Sequence, residues 1–161
     1  MNEILMGKKL LVVDDEPDIV ESLGEFLDMC TVDKAIDFES AKHLLLNRPY
    51  DAAILDIMGV NGYELLPIAN KMGIPAIMLT AHALSPDNFA QSMDGGACAY
   101  LPKDKLSEID LFLADILEAA AEKGERLGKW FSRLSAYYDK KFGSGWLDQY
   151  KGEWQTRHML P

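Results

Sequence analysis

Acidic, hydroxyl and basic side chains stand directly after short aliphatic runs in this chain. Asp14 and Asp15 follow one run, and Asp56 follows another. Thr80 closes a third run, and Lys103 comes just after a fourth. Three carboxylates brought together would repel one another, since two unit charges about 4 Å apart repel by roughly 4 kcal/mol at an effective dielectric constant near 20. Such a cluster favours a hard cation such as Mg2+, which keeps several waters and leaves room for phosphate oxygens, so these residue types indicate phosphoryl chemistry.

The aliphatic runs alternate with amphipathic segments, which is typical of a parallel sheet covered by helices on both faces. The pattern predicts strands at 9–13, 31–35, 52–55, 76–80 and 99–101. It predicts helices at 17–29, 39–46, 63–72, 86–93 and 106–121. In open parallel sheets, functional residues collect beyond the carboxyl ends of the strands, so the acidic, hydroxyl and basic side chains should converge there.

The composition of the chain argues against several classes of protein function. The chain carries 26 acidic and 16 basic residues, and its net charge of -10 argues against nonspecific binding to nucleic acid or to an anionic membrane. Cys30 and Cys98 lie far apart without paired metal-ligand spacing, so neither a disulfide framework nor a zinc site is expected. No apolar run approaches about 18 residues, so we expect no signal peptide, no membrane span and a cytoplasmic location.

The chain changes character near residue 121. Residues 1–121 hold 21 acidic and 8 basic residues, whereas 122–161 hold 5 acidic and 8 basic residues together with 8 of the 15 aromatic residues. We therefore predict a domain over 1–121 and an aromatic, net-basic, largely helical extension over 122–161. Apolar residues spaced by three and four predict one long helix through the boundary, or two broken near Gly124, with an end before Gly143.

Four motifs carry a family resemblance. They are LVVDDEP at 11–17, ILDIM at 54–58, LTA at 79–81 and YLPK at 100–103. Together they resemble the receiver domains of two-component response regulators, over roughly residues 8–121. The resemblance implies an α/β fold, with a doubly wound five-stranded parallel sheet of order 2-1-3-4-5, here followed by a C-terminal helical extension.

The resemblance also implies a role for each acidic and basic residue. Asp56 would be the phosphoacceptor, which attacks the phosphohistidine of a kinase and becomes an aspartyl phosphate. Asp15 and Asp56 would ligate Mg2+ directly, Met58 would offer its backbone carbonyl, and Asp14 would act mainly through water. Lys103 would contact the phosphoryl oxygens and neutralise their charge.

Two further residues would form the switch of the family. Thr80 would hydrogen-bond a phosphoryl oxygen, and its movement would leave space into which Tyr100 can turn. The pair would convert about 1.5 to 2 added negative charges into a reshaped surface around the fourth and fifth helices. His82 and Met58 lie at positions that would tune the lifetime of the aspartyl phosphate.

Each of these residues, taken alone, has an ordinary alternative. Asp14 and Asp15 could favour the positive end of the helix that starts near Pro17. Lys103 could be a solvated surface lysine, and Tyr100 could simply pack on a short edge strand. The functional interpretation rests on their joint occurrence at the ends of the appropriate strands in the appropriate order.

The chain departs from the pattern of the family at three places. The loop after Asp56 brings the helix-opening glycine, Gly62, about two residues early. Asp104 stands where a proline often follows the lysine, which makes the geometry of that peptide bond harder to predict. Residues 122–161 are short for the DNA-binding domains that usually follow and lack a recognisable helix-turn-helix.

These observations predict a signalling module without a DNA-binding output domain. It would receive its phosphoryl group from a sensor histidine kinase or a phosphotransfer protein, act on an unknown protein target, and possess no conventional enzyme activity beyond its own phosphorylation and slow aspartyl-phosphate hydrolysis. A homodimer is possible, and binding to DNA or to a membrane is not expected.

Two hypotheses from other classes remain open. The receiver fold could be a scaffold or an oligomerisation module that acts through its C-terminal extension regardless of phosphorylation. A metal-dependent phosphatase for outside substrates is a third hypothesis, although the chain lacks the Asp-x-Asp nucleophile pair of such enzymes. For the extension, we predict packing on the switch face near the fifth helix or on that of a second copy, with a merely structural cap as the alternative.

Overall fold

A computed structural model of the protein describes residues 3–122 and 127–150, and for Glu122 the backbone alone. The strands are β1 (Lys9–Val13), β2 (Thr31–Ala35), β3 (Ala52–Asp56), β4 (Ala76–Thr80) and β5 (Ala99–Pro102). The α-helices are α1 (Pro17–Phe26), α2 (Phe38–Asn47), α3 (Gly62–Lys71), α4 (Pro86–Asp94), α5 (Ile109–Glu122) and α6 (Lys129–Phe142). Short 3-10 helices cover Glu3–Leu5, Lys103–Glu108 and Trp146–Tyr150.

The sheet is parallel, and its order β2-β1-β3-β4-β5 confirms the predicted fold. Every residue of β3 and β4 is buried, because helices cover both faces of the sheet, and this is why the two strands are continuous apolar runs. Asp56 pairs with Leu79, and Thr80 pairs with Pro102. This register brings the carboxyl ends of the strands to one edge of the sheet.

The predicted strands agree with the observed ones to within one residue. The largest differences concern helix ends. Helix α1 ends at Phe26 and not at residue 29, and the N–H of its C-cap Leu27 still donates to the carbonyl of Leu23. Helix α5 begins at Ile109 and not at residue 106, because Lys105 has a nonhelical backbone (φ -107°, ψ 19°) in the 3-10 segment before it.

Local capping chemistry explains where α2 and α4 begin. The carboxylate of Asp37 accepts a hydrogen bond from the N–H of Ser40 at the start of α2. The hydroxyl of Ser85 accepts one from the N–H of Asn88 at the start of α4, where a proline fills the first helical position, as the Ser-Pro pair predicts. Among the described residues, no helix is long and apolar enough to cross a membrane.

Helix α6 packs on the chain itself, against α4, β5 and α5. Seven aromatic side chains join these elements, and we call them the aromatic cluster: Phe89, Tyr100, Trp130, Phe131, Tyr138, Phe142 and Trp146. Phe89 of α4 lies among them, with its ring centroid 5.0 Å from that of Trp146, 5.2 Å from that of Tyr100 and 5.4 Å from that of Tyr138. The described part of the extension thus belongs to the same hydrophobic core as the sheet.

Polar contacts fix the register of α6. The hydroxyl of Tyr138 donates to the backbone carbonyl of Tyr100, and both side chains are fully buried. Arg133 lies 2.6 Å from the buried carboxylate of Asp115 on α5. Helix α6 ends before Gly143, whose φ of +92° is a conformation that glycine adopts without strain. Gly124, near which the sequence predicts a break, lies outside the described residues.

The position of Phe89 yields a stability prediction. Replacing Phe89 with alanine should lower the free energy of unfolding by about 3–5 kcal/mol, because a fully buried ring leaves a cavity between α4, β5 and α6. Chemical denaturation measures this loss. Phe26→Ala is the matched control, since Phe26 is 39% exposed and its removal should cost less than about 1 kcal/mol. Equal losses for the two variants would contradict the described packing of α6.

Candidate functional site

Lys103 lies between two buried carboxylates at the carboxyl edge of the sheet. Its Nζ is 2.7 Å from Asp14 Oδ2 and 3.2 Å from Asp56 Oδ1, and the Glu16 carboxylate follows at 3.7 Å. Asp14 stands at the end of β1, Asp56 ends β3, and Lys103 follows β5. The lysine side chain is only 9% exposed, so its charge is held in a largely dehydrated position by the two carboxylates.

The pKa values of Asp14 and Lys103 are both raised, but for different reasons. Burial raises the pKa of the Asp14 carboxyl above its ordinary value, although its contact with Lys103 acts in the other direction. Burial lowers the pKa of Lys103, but the Asp14 contact and the attraction of Asp56 outweigh it and leave the pKa raised. The lysine therefore stays charged and is the fixed positive centre of the site.

The loop between β3 and α3 holds the second oxygen of Asp56. The N–H of Gly59 donates to Asp56 Oδ2 at 2.9 Å. A Cβ placed on Gly59 would lie only 2.1 Å from Asp15 Oδ1, so the missing side chain lets the Asp15 carboxylate lie against this loop. Sequence reasoning did not find Gly59, since a single glycine in a loop carries no specific signal.

The short loop after Asp56 is accommodated by two local features. Asn61 adopts the left-handed region (φ 54°, ψ 53°), which lets the chain reverse directly into α3. A Cβ on Gly62 would lie 2.3 Å from the backbone oxygen of Asp56, so only glycine permits α3 to begin this close to the end of β3. Met58 lies in the same loop with its side chain 61% exposed.

A group of carboxylates beside the lysine has the chemistry of a cation site. Asp14, Asp15 and Glu16 each offer an oxygen, and these oxygens lie within 4.8 Å of one another. Asp14 is buried, whereas Asp15 and Glu16 are exposed, so the group opens towards solvent. An oxygen-only donor set fits a hard ion such as Mg2+. Glu16 was not among the predicted ligands, although its place in the Asp-Asp-Glu run could have indicated it.

Thr80 and Tyr100 are both buried and are linked through the loop that follows β4. The hydroxyl of Thr80 accepts a hydrogen bond from the N–H of Ala83 at 2.8 Å. The hydroxyl of Tyr100 donates to the carbonyl of Ala83 at 2.5 Å and accepts from the N–H of Ser85 at 3.1 Å. Burial raises the pKa of Tyr100, so its hydroxyl remains a neutral donor. His82 lies in the same loop and is exposed.

The ring of Tyr100 is enclosed beside helix α6. Tyr138 contacts Tyr100 through both its ring and its hydroxyl. An inward turn of Tyr100 after a movement of Thr80 stays a prediction. Asp104, which stands where a proline often follows the lysine, also contacts α6. Its carboxylate accepts a hydrogen bond from the hydroxyl of Tyr137 at 2.9 Å.

Comparison with known proteins agrees with this geometry. The profile of the response regulator receiver domain matches residues 10–114. The chain is 36% identical over 103 residues to the transcriptional regulatory protein TcrA of Mycobacterium tuberculosis, which covers 60% of this chain and 40% of that protein. It is 32% identical over 140 residues to the transcriptional regulatory protein TctD of Salmonella typhimurium, covering 81% of this chain and 62% of TctD.

Solved structures show the same fold. A CheY-like receiver domain protein from Methanospirillum hungatei superimposes with a TM-score of 0.66 at 28% identity, covering 73% of this chain and 99% of that one. The receiver domain of the Francisella response regulator 1452 gives a TM-score of 0.64 at 26% identity, with 71% and 99% covered. The profile match, the strand order and the carboxylate and lysine arrangement lead to one conclusion: this chain belongs to the response regulator receiver domain family of two-component systems.

Proposed function

We propose that the chain accepts a phosphoryl group on Asp56, with Mg2+, from the phosphohistidine of a sensor histidine kinase or a phosphotransfer protein. The observation that carries this proposal is the environment of the Asp56 carboxylate. One of its oxygens faces the Lys103 ammonium and the other accepts from the N–H of Gly59. A cation, a backbone donor and an acidic group that suits a divalent ion thus surround one carboxylate at the edge of the sheet.

The residues have distinct tasks in the transfer. An oxygen of Asp56 forms a bond to phosphorus as the bond between phosphorus and the histidine nitrogen breaks, and the histidine keeps the electron pair of that bond. Lys103 neutralises the charge that collects on the phosphoryl oxygens. Asp14, Asp15 and Asp56 would hold Mg2+, with Glu16 beside them and the carbonyl of Met58 as a further oxygen donor. When bound, the ion supplies positive charge to the phosphoryl oxygens.

The choice of Asp56 among the carboxylates follows from their exposure. Asp14 also accepts a backbone N–H and faces Lys103, but its side chain is fully buried, whereas that of Asp56 is 6% exposed. Asp15 and Glu16 are exposed and suit a hydrated ion better than a fixed nucleophile. Thr80 follows Leu79, the residue paired with Asp56, and its hydroxyl would donate to a phosphoryl oxygen.

The consequence of phosphorylation would be a changed protein-interaction surface. The curated relatives TcrA and TctD are longer than this chain and are named as transcriptional regulators. For this chain we propose output through contacts with a protein target or a second copy, with the lifetime of the aspartyl phosphate tuned by His82 and Met58. The only chemical steps would be its own phosphorylation and the slow hydrolysis of the aspartyl phosphate.

The alternative of a scaffold acting through its aromatic extension has less support. Trp130, Tyr138 and Trp146 are buried inside the chain, so their rings are not presented to a partner while α6 is docked. The acidic and basic residues at the strand ends also have no role in that hypothesis. A phosphorylation-dependent function uses both features.

The first functional prediction concerns the nucleophile. Asp56→Asn should abolish labelling by acetyl phosphate in the presence of Mg2+, because the amide keeps the shape of the side chain but cannot form an acyl phosphate. Intact-protein mass spectrometry measures the label. Asp28→Asn, an exposed aspartate just past α1, is the control and should be labelled like the wild type. Stoichiometric acid-labile phosphate on the Asp56 variant would refute the assignment.

The second prediction concerns the metal. Asp15→Ala should weaken Mg2+ binding by at least about tenfold, a loss usual even for groups that only support metal ligands. Titration calorimetry measures the dissociation constant, and Asp28→Ala is the matched control for the loss of one acidic charge. Unchanged affinity in the Asp15 variant would show that the ion binds elsewhere.

The third prediction separates the lysine from the metal. Lys103→Ala should bind Mg2+ at least as tightly as the wild type, since a competing positive charge is gone, yet be phosphorylated about 100-fold more slowly. Lys105→Ala removes a more exposed lysine two residues away and should behave like the wild type. Acetyl phosphate labelling rates measured at saturating Mg2+ distinguish the two variants. Wild-type rates for Lys103→Ala would remove this residue from the phosphoryl site.

A further inference from the structure

Helix α6 is connected to the phosphorylation site by a chain of hydrogen bonds. The hydroxyl of Tyr138 donates to the carbonyl of Tyr100, and the hydroxyl of Tyr100 donates to the carbonyl of Ala83. The N–H of Ala83 in turn donates to the hydroxyl oxygen of Thr80. The four residues come from α6, β5, the loop after β4, and the end of β4. They link the extension to the strand beside Asp56.

Each donor in this series of hydrogen bonds points towards Thr80. A hydroxyl carries one donor hydrogen beside its two acceptor lone pairs, so Thr80 can accept from Ala83 and donate onward at the same time. A phosphoryl oxygen on Asp56 would be a strong, charged acceptor at the end of the chain. Hydrogen-bonded groups polarise one another, so a hydroxyl that donates to an anion becomes a better acceptor for the N–H behind it.

Close packing around these residues would transmit a change at Thr80 to α6. Thr80, Ala83, Tyr100 and Tyr138 are all buried, with at most 5% of any of them exposed. Close-packed interiors transmit displacement and do not absorb it. The Tyr100 ring is packed between the rings of Phe89 and Tyr138, at centroid distances of 5.2 Å and 6.1 Å. A stronger hydrogen bond between Thr80 and Ala83 would therefore also restrict Tyr100, and with it the surface on which α6 packs.

We propose that α6 is an intrachain ligand of the α4–β5 face whose docking is tightened by phosphorylation of Asp56, through the hydrogen bonds of Thr80, Ala83, Tyr100 and Tyr138. This inference rests on the proposed function of Asp56. Coupling between two sites is reciprocal, so docked α6 also stabilises the phosphorylated state. Helix α6 then covers this face and also responds to phosphorylation of Asp56.

Hydrogen exchange of the full-length chain tests the coupling. Acetyl phosphate with Mg2+ should slow amide exchange in α6 by about fivefold or more, the lower end of the usual coupling between two sites. Tyr138→Phe keeps the ring but removes the first donor, so it should be phosphorylated without slowing exchange in α6.

Tyr137→Phe is the matched control. It removes the hydroxyl of the neighbouring tyrosine on the same helix, which donates to Asp104 and stands outside the chain of bonds, so the response should persist. A phosphorylated chain whose α6 exchanges at an unchanged or higher rate would overturn this inference alone. A chain that carries no phosphate on Asp56 would overturn the proposed function and this inference with it. A full response in Tyr138→Phe would exclude the proposed route.

Discussion

The contact of Lys103 with Asp14 and Asp56 is the interaction on which the site depends. Two carboxylates at the ends of neighbouring strands would repel each other in a poorly hydrated position. Lys103, which follows the edge strand β5, neutralises them. Because the lysine must reach Asp14 and Asp56, the order of the strands and the path after β5 are both constrained. The same three groups that lie in contact at the edge of the sheet are those to which we assign phosphoryl transfer.

Glycine governs how closely the elements approach this edge. Gly62 lets α3 start against the backbone of Asp56, and Gly59 leaves room for the Asp15 carboxylate while its own N–H donates to Asp56. A loop two residues shorter than the usual pattern is therefore compatible with the site. Despite this departure in the sequence, Gly59 and Lys103 both contact the Asp56 carboxylate.

Helix α6 gives this receiver a feature beyond the family pattern. Its rings complete a cluster around Phe89, and its tyrosines donate to Tyr100 and to Asp104, which flank Lys103 in the chain. The α4–β5 face is thus covered within the chain, and Tyr100 is buried beside α6. A protein partner of this face would meet α6 first, so regulation and recognition involve the same helix.

The sequence by itself determined the fold class, the strand order by resemblance, and most residues of the candidate site, although not Gly59 or Glu16. Strand ends were predictable to within one residue because buried parallel strands are continuous apolar runs, and polar residues directly after them must meet at one edge. The apolar stripe of 129–142 likewise predicted a helix. Packing of the extension near the fifth helix was also predicted, on the same chain or on a second copy. Tertiary structure alone decided that the stripe packs on its own chain, that Lys103 contacts Asp14 as well as Asp56, and that Tyr100 is enclosed. These contacts join residues that lie far apart in the chain, and periodicity shows which face of an element is apolar but not which partner it meets.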